Sequence, residues 1–210
     1  MRVLVIGANG KVGRFIVEKL KNRRFEPIAM IRKEEQAEYF DSLGVQSIVA
    51  DLEEDFEHVF HHHIDAVVFS AGSGSHTGPD KTIIVDQEGA IESIDLAKKH
   101  GVQRYIMISA LRADNPKKAT SIKHYLYAKH RADEYLKSSG LTYTILRPGL
   151  LTDDVGSGKV NLQEKLLSRG NIPREDVAYV VTHVLNHPKA YNQVFELIEG
   201  DTPISQCLRE

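Results

Sequence analysis

The chain has 210 residues, 27 Lys+Arg against 29 Asp+Glu, a formal net charge of −2 and a single cysteine, Cys207. That balance gives no global electrostatic case for nucleic acid or a membrane surface, and one cysteine excludes an internal disulfide and any multi-cysteine zinc site. No apolar run approaches the ~20 residues a membrane helix needs. The N-terminus runs straight into a strand rather than a signal peptide, so a cytoplasmic location is expected.

The first element is a short apolar strand, Arg2–Ile6, which meets glycines at Gly7, Gly10 and Gly13. A helix, Lys11–Lys21, follows. This is the pattern of a buried strand turning into a helix whose N-terminus receives a pyrophosphate on backbone N–H groups. Gly7 permits the turn, Gly10 omits a side chain where phosphates approach, and Gly13 lets the helix pack on the strand. The spacing is GxxGxxG rather than GxGxxG, and its context between strand and helix is what gives it weight. Asn9, Lys11 and Val12 complete the expected phosphate loop.

Further strands are expected at Pro27–Ile31, Ser47–Val49, Ala66–Ser70, Arg104–Ser109, Thr142–Arg147 and Val194–Leu197. Helices are expected at Lys33–Ser42, Asp80–Lys99, Ser121–Ser138 and Arg174–His187, with Gly101 and Gly140 as terminators. Continuously apolar strands such as Ala66-Val67-Val68-Phe69 imply burial on both faces, hence a parallel sheet covered by helices. The fold class is α/β: a doubly wound parallel sheet of the Rossmann type. One domain spans 1–210, with 150–210 contributing a small substrate-side segment.

In such sheets the ligand lies beyond the carboxyl ends of the strands. The second strand ends in Arg32-Lys33 where NAD-binding chains usually carry a carboxylate for the ribose 2′-OH. Arginine binds a 2′-phosphate bidentately and stacks on adenine, so NADP(H) is expected over NAD(H). Asp51, with Leu52, follows the third strand and suits the adenine amino group; with Glu54 three residues on, it also fits a capping box. Ser70, Ala71 and Gly72 end the fourth strand with small residues that leave room for a ribose. His76, within Gly72–Pro79, is read as a surface histidine.

Tyr125 and Lys129 stand four apart on an expected helix, which stacks both on one face. A nearby ammonium lowers a phenol's pKa and makes it a usable acid or base. Ser109, ending the fifth strand, is placed to hydrogen-bond a substrate carbonyl. Tyr127 and Arg131 repeat the spacing, but arginine stays protonated and relays no proton. His58 and His61–His63 are read as a solvated linker, with no metal expected. Gly156-Ser-Gly-Lys159 imitates a phosphate loop but lacks its Ser/Thr and first glycine, and reads as a mobile substrate-side loop.

Taken together these pieces resemble the short-chain dehydrogenase/reductase superfamily, in its atypical NAD(P)H-binding, epimerase-like branch. The resemblance runs through Gly7–Gly13, Ala71–Gly78, Val85-Asp-Gln-Glu-Gly-Ala90, Tyr105–Ser109, Tyr125–Lys129, Leu146-Arg-Pro-Gly149 and Ile172–Ala178. It implies that Ser109, Tyr125 and Lys129 are catalytic, that Lys129 also holds the nicotinamide ribose, and that Pro148 lies beside the nicotinamide. Little follows Gly149, so an open, shallow site is implied. The function expected is hydride transfer from NADP(H) to a small carbonyl, quinone or flavin-like substrate. Two alternatives stand beside it: a non-catalytic NADP(H) sensor, and an epimerase or dehydratase that retains its cofactor. The partner expected is a small-molecule substrate, with oligomeric state left open.

Overall fold

The computed structural model describes residues 1–74 and 77–208, so His76 lies outside the described residues. Its main sheet has nine strands in the order β11-β8-β10-β6-β5-β4-β1-β2-β3. Six of these form the doubly wound part: β1 (Arg2–Ile6), β2 (Glu26–Ile31), β3 (Gln46–Val49), β4 (Ala66–Phe69), β5 (Arg104–Ile108) and β6 (Thr142–Pro148). All their pairings are parallel. The chain leaves β1 toward β2 and β3, then returns to the other side at β4. The gap between the ends of β1 and β4 is therefore the switch point where a dinucleotide-binding sheet opens.

Strand polarity explains the apolar runs. Val3 and Val5 pack on one side of the sheet, with Ile16, Val17 and Leu20 of α1 (Lys11–Asn22), Phe40 of α2 (Ala37–Ser42), and Val177 and Val181 of α6 (Arg174–Val184). Leu4 and Ile6 pack on the other, with Ile94 and Ala97 of α4 (Gly89–Lys99) and Ala132 and Leu136 of α5 (Lys123–Ser138). Both faces are dry, so both alternate sets are hydrophobic. A short α3 (Pro79–Lys81) leads into α4 through a π-helical stretch, Thr82–Glu88.

The strand and helix expectations agree with the structure to within a few residues, with four differences. The helix expected to start at Lys33 begins as a 3-10 turn, Glu34–Gln36, before α2. The helix expected over Asp80–Lys99 carries the π segment in its first half. No helix follows Asp51: its carboxylate accepts from Glu53 N at 3.1 Å, closing a turn, and it is Asp55 that accepts from Glu57 N (2.9 Å) at the start of the 3-10 turn Glu57–His62. The capping box is thus a tighter local turn.

The fourth difference lies in 150–210. β10 (Gln193–Glu199) pairs parallel to β6, and β8 (Lys159–Gln163) and β11 (Thr202–Pro203) extend the sheet antiparallel. Much of this segment therefore belongs to the main sheet and, through α6, to the layer against α1. The substrate-side part is β7 (Leu150–Thr152) paired with β9 (Asn171–Pro173) and their connections. Among the described residues no helix is long and apolar enough to cross a membrane.

Candidate functional site

Gly7 follows β1 with φ +82°, a conformation glycine adopts at no steric cost, and a Cβ there would lie 2.6 Å from Ala71 Cα. The ends of β1 and β4 thus touch backbone to backbone. A Cβ on Gly13 would lie 2.2 Å from Gly7 O, so α1 starts directly against the strand it leaves. α1 has no side-chain N-cap and no acidic residue in its first turn. Its N-terminal N–H groups and dipole are left for an anion.

From this loop a cleft runs along the ends of β2, β3 and β4. Gly7, Asn9 and Gly10 line it, as do Arg32, Asp51, Leu52, Ser70, Ala71 and Gly72. Met30, Ala50 and Val85 supply apolar walls that suit a planar base. Arg32 is exposed, and its backbone N–H donates to Gln36 Oε1 at 3.0 Å. Lys33 does not line the cleft. Val12 and Gly13 turn into the packing between α1 and the sheet, so any contact they make to a ligand would be through backbone. Asn9 Oδ1 accepts from Arg14 Nη2 (2.7 Å), whose guanidinium stacks 4.3 Å over the Tyr39 ring. Arg14 is a second cation on this side that sequence reading did not single out.

Past the loop lies a second, larger cleft of about 830 Å³. Ser109, Tyr125 and Pro148 line it, with the β7–β9 ribbon as its far wall. Tyr125 and Lys129 do share a face of α5, with Lys129 Nζ 5.7 Å from the Tyr125 ring centre. The ammonium, however, is fully committed inward. It pairs with Asp86 Oδ1 at 2.9 Å, and its longer contacts, 3.4 Å each, go to the carbonyls of Ala71 and Ile108. Both partners are buried. Burial opposes the charged lysine, but Asp86 and Tyr125 more than offset it and hold Lys129 above its ordinary pKa.

This geometry reverses one expectation. The Tyr125 phenol lies above its usual pKa, not below it: burial pushes it up, and the opposing pull of Lys129 is countered by Asp86 and Asp133. An ammonium already neutralised by a carboxylate is a weak electrostatic partner for a third group. Asp86 is placed there by the π segment. Its other oxygen accepts from Ser73 N at 2.9 Å, tying that segment to the chain after β4. Such local π geometry is frequent at functional sites.

A second buried pair backs the cleft. Arg147 Nε and Nη2 reach Asp133 Oδ2 of α5 at 2.9 and 2.8 Å. The arginine of the Arg-Pro-Gly turn therefore points into the protein, leaving Pro148 and Gly149 at the cleft. Burial pushes the Asp133 carboxyl up, against the pull of Arg147 and of the neighbouring Ser109 hydroxyl. Ser109 is itself buried, at 3 % exposure. Two non-glycine residues at the rim, Arg112 (φ 71°) and Ile122 (φ 46°), are held in left-handed backbone, a cost of about 1–3 kcal/mol each.

Lys11 turns away from the loop to pair with Asp153 Oδ2 (2.5 Å), whose other oxygen holds Arg174 at the start of α6 (2.7 Å). Lys11 and Arg174 keep that carboxyl below its usual range. The Gly156–Lys159 segment is anchored rather than loose. Gly158 N and Ser157 N donate to the Asp176 carboxylate at 2.9 Å, and Gly156 N donates to Glu175. At the opposite end of the sheet, Glu57, His61 and His100 gather within 4.8 Å. There the Glu57 carboxylate already accepts from Lys99 (2.7 Å) and pairs with His100 (2.9 Å).

Sequence reasoning singled out the loop, Tyr125 and Lys129, which the structure places at or beside the two clefts, but not Asp86 or Asp133. The signal for Asp86 was its place in Val85–Ala90, an acid on the face of a helix that is otherwise buried.

A family of NAD(P)H-binding proteins matches residues 7–188, and the chain belongs to it. An uncharacterized sugar epimerase of Bacillus subtilis is 43% identical over 214 residues, with 100% of both chains covered. Among solved structures, a protein of Bacillus halodurans named for the NAD-dependent epimerases/dehydratases superposes with a TM-score of 0.96 at 46% identity, covering 99% of this chain and 98% of that one. An oxidoreductase of Lactococcus lactis follows at TM-score 0.88 and 27% identity, covering 99% and 95%. The protein is an NAD(P)H-binding, Rossmann-fold member of an oxidoreductase and epimerase family, and its cofactor is a nicotinamide dinucleotide.

Proposed function

We propose that the protein is an NADP(H)-dependent oxidoreductase of the short-chain dehydrogenase/reductase type, acting on a small carbonyl, quinone or flavin-like substrate. The observation that carries this reading is the direct adjacency of a glycine cradle, closed to any side chain, and a roomy cleft lined by Tyr125. Gly7, Gly10 and the free N-terminus of α1 would hold the pyrophosphate. Arg32, exposed at the cleft wall where a carboxylate would select NAD(H), would meet a 2′-phosphate. The nicotinamide, when bound, supplies hydride chemistry.

The chain's part is proton delivery and positioning. Tyr125, with its raised pKa, is protonated at neutral pH and would donate from its hydroxyl to the substrate oxygen that gains charge. Lys129 fixes the ends of β4 and β5 through its carbonyl contacts and, already paired with Asp86, stabilises the phenolate left behind only weakly. The Ser109 hydroxyl, buried beside Asp133, would orient the same oxygen. The half-buried, unpaired thiol of Cys207 suits a cytoplasmic setting.

Fluorescence titration with NADPH and NADH tests the cofactor reading. NADPH should bind at least about tenfold tighter, and Arg32→Ala should erase most of that gap. Equal affinities in the wild type would sink it. Tyr125→Phe should lower kcat by about a hundredfold or more with NADPH affinity unchanged. Full turnover by that variant would remove Tyr125 from the mechanism. Tight cofactor binding with no turnover on any carbonyl or quinone would favour the sensor, and cofactor that stays bound through repeated product formation would favour the epimerase.

A further inference from the structure

The second cleft carries a charge pattern that its apolar walls do not require. Arg112, Lys118, Arg169 and Arg174 line it, and no Asp or Glu does. The chain as a whole is slightly acidic, so four cations facing one cavity are a local feature rather than a reflection of composition. Among the described residues Arg112, Lys118 and Arg169 form no ion pair with a carboxylate, and only Arg174 has one, Asp153. The acid nearest to Arg112 in sequence, Asp114, is engaged by Lys165 at 2.7 Å, and Glu175, next to Arg174, by Lys19 at 2.8 Å. Between the cations the wall is hydrophobic: Leu111, Ile122, Leu126 and Leu150 line it.

Unpaired cations around a cavity with apolar walls raise the local concentration of anions, and the walls then select those with an apolar body. The backbone supports the same reading. Arg112 and Ile122 keep strained left-handed conformations, and both face this cavity, where such strain serves to aim side chains.

We infer that the substrate is an amphipathic anion: an apolar body bearing one or more carboxylate, sulfonate or phosphate groups, which are held at the rim by Arg112, Lys118 and Arg169. The inference deepens the oxidoreductase reading and rests on it for the name substrate, while the binding preference itself stands apart from turnover. The anionic group sits at the outer rim and the reducible part lies inward, against Tyr125.

The test uses a matched pair of probes, anthraquinone-2-sulfonate and its neutral sulfonamide, with calorimetric binding to the full chain saturated with NADP⁺. Saturation keeps the sulfonate off the phosphate loop. The sulfonate should bind about tenfold tighter or more, with the preference shrinking as salt rises. In Lys118→Glu/Arg169→Glu the preference should collapse to about threefold or less while sulfonamide affinity is kept, which shows that the variant is folded. Lys117→Glu, which also reverses a charge but lies outside the cleft, should leave it intact. Equal affinity of the two probes, no binding of either, or a preference surviving in the double variant would overturn the inference. NADPH oxidation is read separately. Selective sulfonate binding with no oxidation fails the oxidoreductase reading alone, and equal turnover of both quinones fails the anion inference alone.

Discussion

Lys129 and Asp86 meet inside the protein at 2.9 Å, and the energetics of such a pair are lopsided. Forming it yields little net stability, whereas removing one partner strands a buried charge. Asp86→Asn should therefore destabilise the fold by about 3–5 kcal/mol, and Lys129→Met/Asp86→Leu should cost less than the single change. Urea denaturation of the variants checks this; equal losses for single and double would contradict it. Because Lys129 is held above its ordinary 10.5, what it contributes is fully present below that pH and fades only as pH rises through the higher folded value. Tyr125 behaves in parallel. Its phenol lies above 10.0, so the acid form persists through neutrality, and kcat/KM for reduction should be flat from about pH 6 to about pH 9 as far as this group is concerned. A tyrosine limb near pH 7 would mean that cofactor or substrate restores the lowered pKa that spacing alone suggested. The residue types were legible in the sequence. The sign of the Tyr125 shift was not, because it depends first on burial of the phenol and then on Asp86, which lies 39 positions away and reaches Lys129 only in the fold. Burial also pushes the Cys207 thiol up to about 11, so alkylation by iodoacetamide at neutral pH should be much slower than for a free thiol.

Elements were legible where period and burial agree. β1 and β4 are read from unbroken apolar runs, and their alternate residues do enter two different cores. α1 is read from its spacing and from Gly13, whose missing Cβ brings the helix onto Gly7 O. Gly13→Ala should accordingly displace the loop and lower NADPH affinity by about tenfold or more. Titration of the variant against wild type gives the answer, and unchanged affinity would mean that the loop relaxes without loss. The π segment was not legible, because its residues carry an ordinary helical pattern and the contacts that go with the extra residue per turn, Asp86 to Lys129 and to Ser73, exist only in the fold. β8 and β11 were missed for a different reason. They are short edge strands with mixed exposure, and the chain entering β8 is held by the Asp176 carboxylate, which accepts from the backbone of Ser157 and Gly158.

Across the whole molecule, the end of the sheet opposite the clefts is tied by one side chain. Arg104, buried at the start of β5, donates to the carbonyls of Leu185 (3.0 Å), Val184 (3.1 Å) and Thr142 (3.1 Å), and also to Thr144 Oγ1. Burial draws its pKa down to about 10, which still leaves it charged at neutral pH. Arg104→Met should leave several carbonyls unpaired and lower stability by about 3–5 kcal/mol with cofactor affinity unaffected, since the site lies at the other end. Denaturation and titration of the same variant separate the two effects. The site end is held more lightly. Asp153 serves two masters there, Lys11 on the phosphate loop and Arg174 on the cleft wall, through exposed contacts that cost little to break. A pyrophosphate on the loop that drew Lys11 away from Asp153 would leave the carboxylate to Arg174 alone. The two compartments would then be coupled through one carboxylate, and a dinucleotide that arrived first would alter the berth its co-substrate meets.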